Sequence, residues 1–184
     1  MCIRDSSYLG RVNLSFYDKY LVTASLRVDG SSKFQKGKRF AYFPSASIAW
    51  RMEQEEFMKD INWLSQLKLR VSYGETGSQS ITPYSTFSDY ARVMDYATAN
   101  GEKELAAVVS KLQNDGLKWE RTSSWNAGFD FGVLKQRITG SFEYYKKKTS
   151  DLLINRDLPL SSGFASVTMN QGSLTNEGVE FSLD

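Results

Sequence analysis

Between Lys19 and Arg51 the chain reads KYLVTASLRVDGSSKFQKGKRFAYFPSASIAWR. Two stretches in it alternate with a period of two. In the first, Tyr20, Val22, Ala24, Leu26 and Val28 share one face, and Lys19, Leu21, Thr23, Ser25, Arg27 and Asp29 the other. In the second, Tyr42, Pro44, Ala46, Ile48 and Trp50 lie opposite Ser45, Ser47, Ala49 and Arg51. Such alternation marks β-strands with one apolar and one polar face. Each run is about ten residues long, against about 5–6 for a globular strand and roughly 9–11 for a strand that crosses a bilayer. Tyr20, Tyr42 and Trp50 stand at the ends of the apolar faces, where a lipid-facing strand carries its interfacial aromatics. This pair of strands predicts an all-β, antiparallel transmembrane barrel.

Composition agrees with that expectation and excludes several others. With 23 basic and 21 acidic residues the chain has no strong field, so charge gives no case for nucleic acid. The mean hydropathy of −0.43 does not oppose a barrel, whose strands are only half apolar and whose loops are polar. No apolar run approaches the ~18 residues of a membrane-spanning helix. Aromatics make up 14% of the chain, a share that suits interfacial girdles and also a carbohydrate-binding sandwich. One cysteine and no histidine exclude an internal disulfide framework, Cys/His zinc sites and histidine-based nucleophilic catalysis.

Five further alternating stretches are expected. Ser7–Tyr17 and Gln66–Gly77 are the first and fourth strands, and Trp119–Gly132 and Arg137–Lys147 the fifth and sixth. A seventh closes with Val179, Phe181 and Leu183. Asp18-Lys19 predicts a tight hairpin turn. The acidic start and apolar spacing of Met52–Ser65 predict a short helix, and helical turns are expected around Leu105–Val109. Residues 78–117 form a long connection of the kind that carries function. Short connections alternate with long ones, as periplasmic turns alternate with extracellular loops in outer-membrane barrels. Residues 1–6, MCIRDS, fit no element and no signal peptide, and are expected to be foreign to a segment that runs from residue 7 to 184.

Several stretches together resemble the SusC/RagA family of TonB-dependent outer-membrane transporters of Bacteroidota. They are YLVTASLRVDGSSKF at Tyr20–Phe34, YFPSASIAWR at Tyr42–Arg51 and LKLRVSYGETGSQ at Leu67–Gln79. They continue with WERTSSWNAGFDFG at Trp119–Gly132, GSFEYYKKKTSDLL at Gly140–Leu153 and NQGSLTNEGVEFSL at Asn170–Leu183. The resemblance implies about seven strands of a larger barrel of twenty-two, without its plug domain. It implies import of oligosaccharides, or of peptides, across the outer membrane. The implied partners are a SusD-like surface lipoprotein over the barrel, the TonB complex acting through the plug, the ligand and the lipid bilayer. It implies no cofactor and no catalytic activity, and a segment of this kind is not expected to transport by itself.

Candidate functional residues fall in two groups. Arg27, Asp29, Arg70, Asp130 and Glu143 occupy polar-face positions and are expected to line the lumen, as are Lys19, Arg51, Lys68, Arg137 and Glu180. Mutual pairing is the simplest expectation for these charges, although two carboxylates about 5–10 Å apart could serve a glycosidase. Tyr84, Phe87, Tyr90 and Tyr96 in the long connection are candidate contacts for a ligand or for the lid lipoprotein, since loops on a rigid scaffold carry specificity. The DGSS and GETG turns at Asp29–Ser32 and Gly74–Gly77 precede no helix and are not phosphate cradles. The competing fold is a soluble β-sandwich that binds carbohydrate. Val22, Leu26, Ile48, Leu69, Phe129 and Phe142 separate the two: they face lipid in a barrel and a second sheet in a sandwich.

Overall fold

A computed structural model describes residues 4–59, 61, 63–82, 86, 89–97 and 103–184, with backbone alone for 89–97, 103–108 and 110. One antiparallel sheet of seven strands dominates it. These are β1 (Asp5–Phe16), β2 (Tyr20–Ser31), β3 (Phe40–Arg51), β4 (Leu64–Ser78), β7 (Glu120–Val133), β8 (Ile138–Ser150) and β11 (Ser173–Leu183). Each pairs with its neighbour in that order. Two hairpins, β5–β6 (Asp89–Ala97, Lys103–Lys111) and β9–β10 (Leu153–Asp157, Ser166–Asn170), form separate two-stranded sheets within the longer connections.

The main strands have 11 to 15 residues because alternation persists that far in the sequence. Register keeps the apolar positions aligned. Phe16, Tyr20, Trp50, Leu69, Phe129, Phe142 and Phe181 form one cross-sheet row. Leu14, Val22, Ile48, Val71, Ala127, Tyr144 and Val179 form the next. A slip of one residue at any pair would turn a whole apolar set to the polar face. Among the described residues no second sheet covers these rows. Ile48 is 57% exposed and Phe181 65%. That observation removes the sandwich.

Connections sort by end. The β1–β2, β3–β4 and β7–β8 links lie at one end, the turn end. The β2–β3, β4–β7 and β8–β11 links, which include both hairpins, lie at the other, the loop end.

Three local expectations change. The β1–β2 turn begins one residue earlier than predicted. Tyr17 and Asp18 take φ of +53° and +55°, and the Lys19 N–H closes on Phe16 O at 3.0 Å. Both central residues of a mirror-image hairpin turn need that left-handed backbone. Among the described residues of Met52–Ser65 the expected helix is replaced by two 3-10 turns, Met52–Gln54 and Glu56–Met58. Phe57 and Trp63 remain exposed, so these large apolar side chains contribute no packing that would stabilise a longer helix. Around Leu105–Val109 the chain is strand β6, paired with β5, in keeping with the β-branched Val108-Val109 step.

Candidate functional site

The two faces of the sheet have different chemistry. On the outward face the apolar band crosses the strands obliquely. On β1 to β3 it runs from Phe16, Tyr20 and Trp50 at the turn end to Tyr8, Val28 and Tyr42 at the loop end. On β8 and β11 it runs from Ile138 and Leu183 only to Tyr144 and Val179, which are level with Ile48. Averaged over the six steps from β1 to β11, the loop-side edge of the band thus drops by one residue per strand, from the level of Tyr42 to that of Ile48. With a rise of about 3.4 Å and a strand spacing of about 4.8 Å, that slip corresponds to a tilt of roughly 35°. Strands of outer-membrane barrels tilt by about 35–45°. Aromatics edge the band on both sides, with Tyr73 and Trp125 rings 4.7 Å apart on the loop side and Tyr20 and Trp50 rings 6.2 Å apart on the turn side. Ion pairs stand just beyond the loop-side aromatics: Arg121–Glu75 at 3.0 Å and Lys146–Glu177 at 2.8 Å.

The inward face is polar, with many small side chains. Asn13, Thr23, Ser47, Ser72, Asn126, Tyr145 and Gly178 share one row across it. Neighbouring hydroxyls and amides bond laterally, as in Ser25 to Ser45 at 2.7 Å and Thr23 Oγ1 donating to Asn13 Oδ1 at 2.9 Å. Gly128 keeps this wall smooth, since a Cβ there would stand 2.5 Å from the Phe142 carbonyl oxygen.

The five charged candidates lie on this wall in two separate groups. Towards the loop end, Arg27 Nε meets Asp29 Oδ1 at 2.8 Å, and Ser7 Oγ donates to the same oxygen at 2.7 Å. Nearer the turn end, Arg70 Nη2 bridges Asp130 at 2.8 Å and Glu143 at 3.4 Å. Glu180 is the register partner of Glu143 on β11. Arg70 Nε is buried with no hydrogen-bond partner. These carboxylates are held by a guanidinium rather than opposed across a cleft.

Of the aromatic candidates, Tyr84 and Phe87 lie outside the described residues. Tyr90 and Tyr96 lie on β5, where their backbones pair with Val109 and Glu104 of β6.

Two features of the wall were not expected. One is a buried apolar cluster at the loop end: Phe34, Ala41, Phe43, Ile81, Leu117 and Trp119. Phe43 and Ala41 occupy polar-face positions, so alternation alone hides them. The cluster exists because the β3–β4 ladder stops at Ser45–Gly74, whereas β4 and β7 remain paired to Ser78–Glu120. The Phe43 ring fills the space this leaves. It packs 5.9 Å from Trp119 and against Gly77, where any side chain would collide with it. Trp119 Nε1 donates to Arg39 O at 3.2 Å and ties β7 to the β2–β3 connection.

The other is Glu55, in the β3–β4 turn. Lys19 Nζ donates to it at 2.9 Å, Tyr20 Oη at 3.1 Å and Trp50 Nε1 at 3.2 Å. Lys19 therefore serves this turn rather than the lumen. The hydrogen bond from Lys19, followed by that from Trp50, holds the Glu55 carboxyl below the ordinary carboxylate range. The same bond holds the Lys19 ammonium above its ordinary value. A carboxylate following the third strand in sequence is the only signal for this clamp, and it names no partner.

An obliquely banded antiparallel sheet, apolar outside and polar inside, defines a stretch of transmembrane β-barrel wall. The comparisons agree. Residues 3–184 match the family model described as TonB dependent receptor-like, beta-barrel, and the chain belongs to that family. It is 43% identical to TonB-dependent receptor SusC of Bacteroides thetaiotaomicron, over 97% of this chain and 18% of that protein. It is also 43% identical to a TonB-dependent receptor of Formosa agariphila, again over 97% of this chain and 18% of the relative. Among solved structures it superposes on the RagAB peptide transporter with a TM-score of 0.87 at 31% identity, covering 98% of this chain and 20% of that one. On the 'open-open' state of the RagAB peptide importer the TM-score is 0.88, at 31% identity and over 98% and 19% of the two chains. The siderophore receptor PirA of Pseudomonas aeruginosa shares the fold, with a TM-score of 0.62 at 14% identity, over 97% of this chain and 30% of that one. The chain thus spans about a fifth of the length of these SusC- and RagA-like relatives.

Proposed function

We propose that this chain is a wall segment of an outer-membrane importer that takes up oligosaccharides, driven by the TonB complex through a plug in the intact transporter. The observation that carries the reading is the match to SusC at 43% identity along almost the whole segment, joined to a lumen wall lined with hydroxyls and amides. Such a wall offers donors and acceptors to a hydroxylated solute without a fixed charge pattern. Peptide is the second reading, favoured by the fold match to the RagAB peptide transporter. The loop end, including residues 78–117, faces outward in this account. There Tyr84, Phe87, Tyr90 and Tyr96 meet the ligand or a SusD-like lipoprotein lid. Arg27, Asp29, Arg70, Asp130 and Glu143 act as paired lumen charges. They shape the polar wall and carry out no catalysis.

Deletion of the gene that carries this segment tests the reading. Growth on oligosaccharides should be lost, and growth on monosaccharides and on peptides kept. Loss of growth on peptides alone would move the assignment to peptide import. Pull-down of the full-length transporter should retrieve a lipoprotein encoded beside it.

A further inference from the structure

We propose that a cleft at the loop end, built around the Arg27–Asp29 pair, is a subsite for one sugar unit of the imported oligosaccharide and holds it by two adjacent hydroxyls. The proposal rests on the oligosaccharide reading above. The cleft has a volume of about 240 Å³ and is lined by Ser7, Arg27, Asp29, Gly77, Gln79 and Trp119 among others. Three separate stretches supply these residues: the β1–β2 hairpin, the end of β4 with the residue after it, and the residue that leads into β7. Ser7 and Asp29 are register partners, and Arg27 lies two residues before Asp29 on the same face of β2.

The carboxylate is set in place before any ligand arrives. Asp29 Oδ1 accepts from Arg27 Nε at 2.8 Å and from Ser7 Oγ at 2.7 Å, and the Asp29 side chain is 11% exposed. Those bonds use one oxygen of the carboxylate and one nitrogen of the guanidinium. Among the described residues no further hydrogen bond engages Asp29 Oδ2 or the two terminal nitrogens of Arg27, whose side chain is 58% exposed. A free acceptor and a free donor fork thus stand side by side, fixed to each other. Adjacent ring hydroxyls each donate and accept, so one can donate to Asp29 Oδ2 while its neighbour accepts from Arg27. Charge-assisted hydrogen bonds of this kind are about twice as strong as neutral ones, and a preorganised pair loses little freedom in making them. Gln79 adds a third group. Its Nε2 donates to Asp5 Oδ2 at 3.1 Å, while its Oε1 is buried with no partner. A small turn of the amide would bring that oxygen to a ligand hydroxyl and remove the cost of an unmet acceptor. Trp119 packs against Phe34 and Phe43, so it offers the cleft a fixed apolar patch for the C–H groups of a sugar ring. The polar groups that carry the recognition, Arg27, Asp29 and Gln79, all lie within the stretch from residue 7 onward.

The test uses the full-length transporter, isolated with any lipoprotein that accompanies it, on an array of plant, algal, microbial and host oligosaccharides printed beside a peptide array. Wild type should bind at least one oligosaccharide. For the tightest of them, titration calorimetry should show Arg27→Gln and Asp29→Asn each weaker by about tenfold or more. Lys146→Gln, on the outward face, should bind as wild type does. Mono-O-methyl isomers of that oligosaccharide separate recognition from misfolding. The isomer blocked at the hydroxyl that meets Asp29 should bind wild type about tenfold more weakly than the unmodified sugar. The Asp29→Asn variant should bind that isomer and the unmodified sugar alike, a pattern that misfolding cannot produce. Equal binding by wild type, Arg27→Gln and Asp29→Asn overturns the subsite and leaves the oligosaccharide reading standing. So does an equal loss in Lys146→Gln, or full additivity for every methyl isomer. A wild type that binds no oligosaccharide overturns the oligosaccharide reading and this proposal together.

Discussion

Replacing Gly77 with alanine should dislodge Phe43. An added Cβ would stand 2.0 Å from Phe43 Cζ and 2.7 and 2.8 Å from its Cε atoms, far inside the ~3.5–4.0 Å of a good carbon contact. The ring must retreat by more than an ångström, yet it is 3% exposed and packed against Trp119. Overpacking of this kind costs about 1–3 kcal/mol. The reduced freedom of the unfolded chain returns about 0.4–1 kcal/mol, so the expected net loss is about 1–2 kcal/mol. The cause is specific, so it can be cancelled. In a Phe43→Ala background the same Gly77→Ala change should be neutral or slightly stabilising. The two changes should therefore couple by at least about 1 kcal/mol, as neighbours in contact do. Denaturant unfolding of the full-length transporter in micelles, followed by tryptophan emission, measures all four corners of this cycle. Strict additivity would refute the account of how the β3–β4 gap is filled.

Three further outcomes are expected. Arg70→Gln should cost about 1 kcal/mol by leaving Asp130 and Glu143 without their shared cation, and Asp130→Asn in the same chain should recover part of it, both read from unfolding midpoints. The Glu55 clamp makes stability fall in acid. Its folded pKa lies below the ordinary value of 4.5, so its contribution is complete above that pH and is lost as the pH falls through and below it. A pH series of thermal unfolding should show this loss in wild type and not in Glu55→Gln. Leu134, Lys135 and Gln136 all have φ between +52° and +62°, and Lys135→Gly should relieve one such residue and raise stability by about 0.5–1 kcal/mol.

Alternation made the sheet legible. Val22, Ile48, Phe129 and Phe142 were placed on one face by parity alone, because a strand puts side chains on opposite faces with a period of two. The oblique band was not legible, since it depends on register between strands that are distant in sequence. Phe43 was misleading for a related reason. Its parity says polar wall, and only the early end of the β3–β4 ladder makes its position apolar. The mutual pairing of the charged candidates was expected, but Arg70 serving two carboxylates on two strands was not, because alternation gives direction and not distance. The 3-10 turns after Arg51 and the β5–β6 hairpin escaped because local apolar spacing does not show whether a surface exists to pack against.

The most direct test is a nitroxide scan of β7 in the full-length transporter, one label at a time from Ser124 to Asp130 with Gly128 left unlabelled, on a cysteine-free background, in lipid bilayers. Labels at 125, 127 and 129 should be reached by oxygen dissolved in the membrane, and those at 124, 126 and 130 by a water-soluble nickel reagent, in strict alternation. Protection of 125, 127 and 129 from both would place them against protein and contradict the barrel wall.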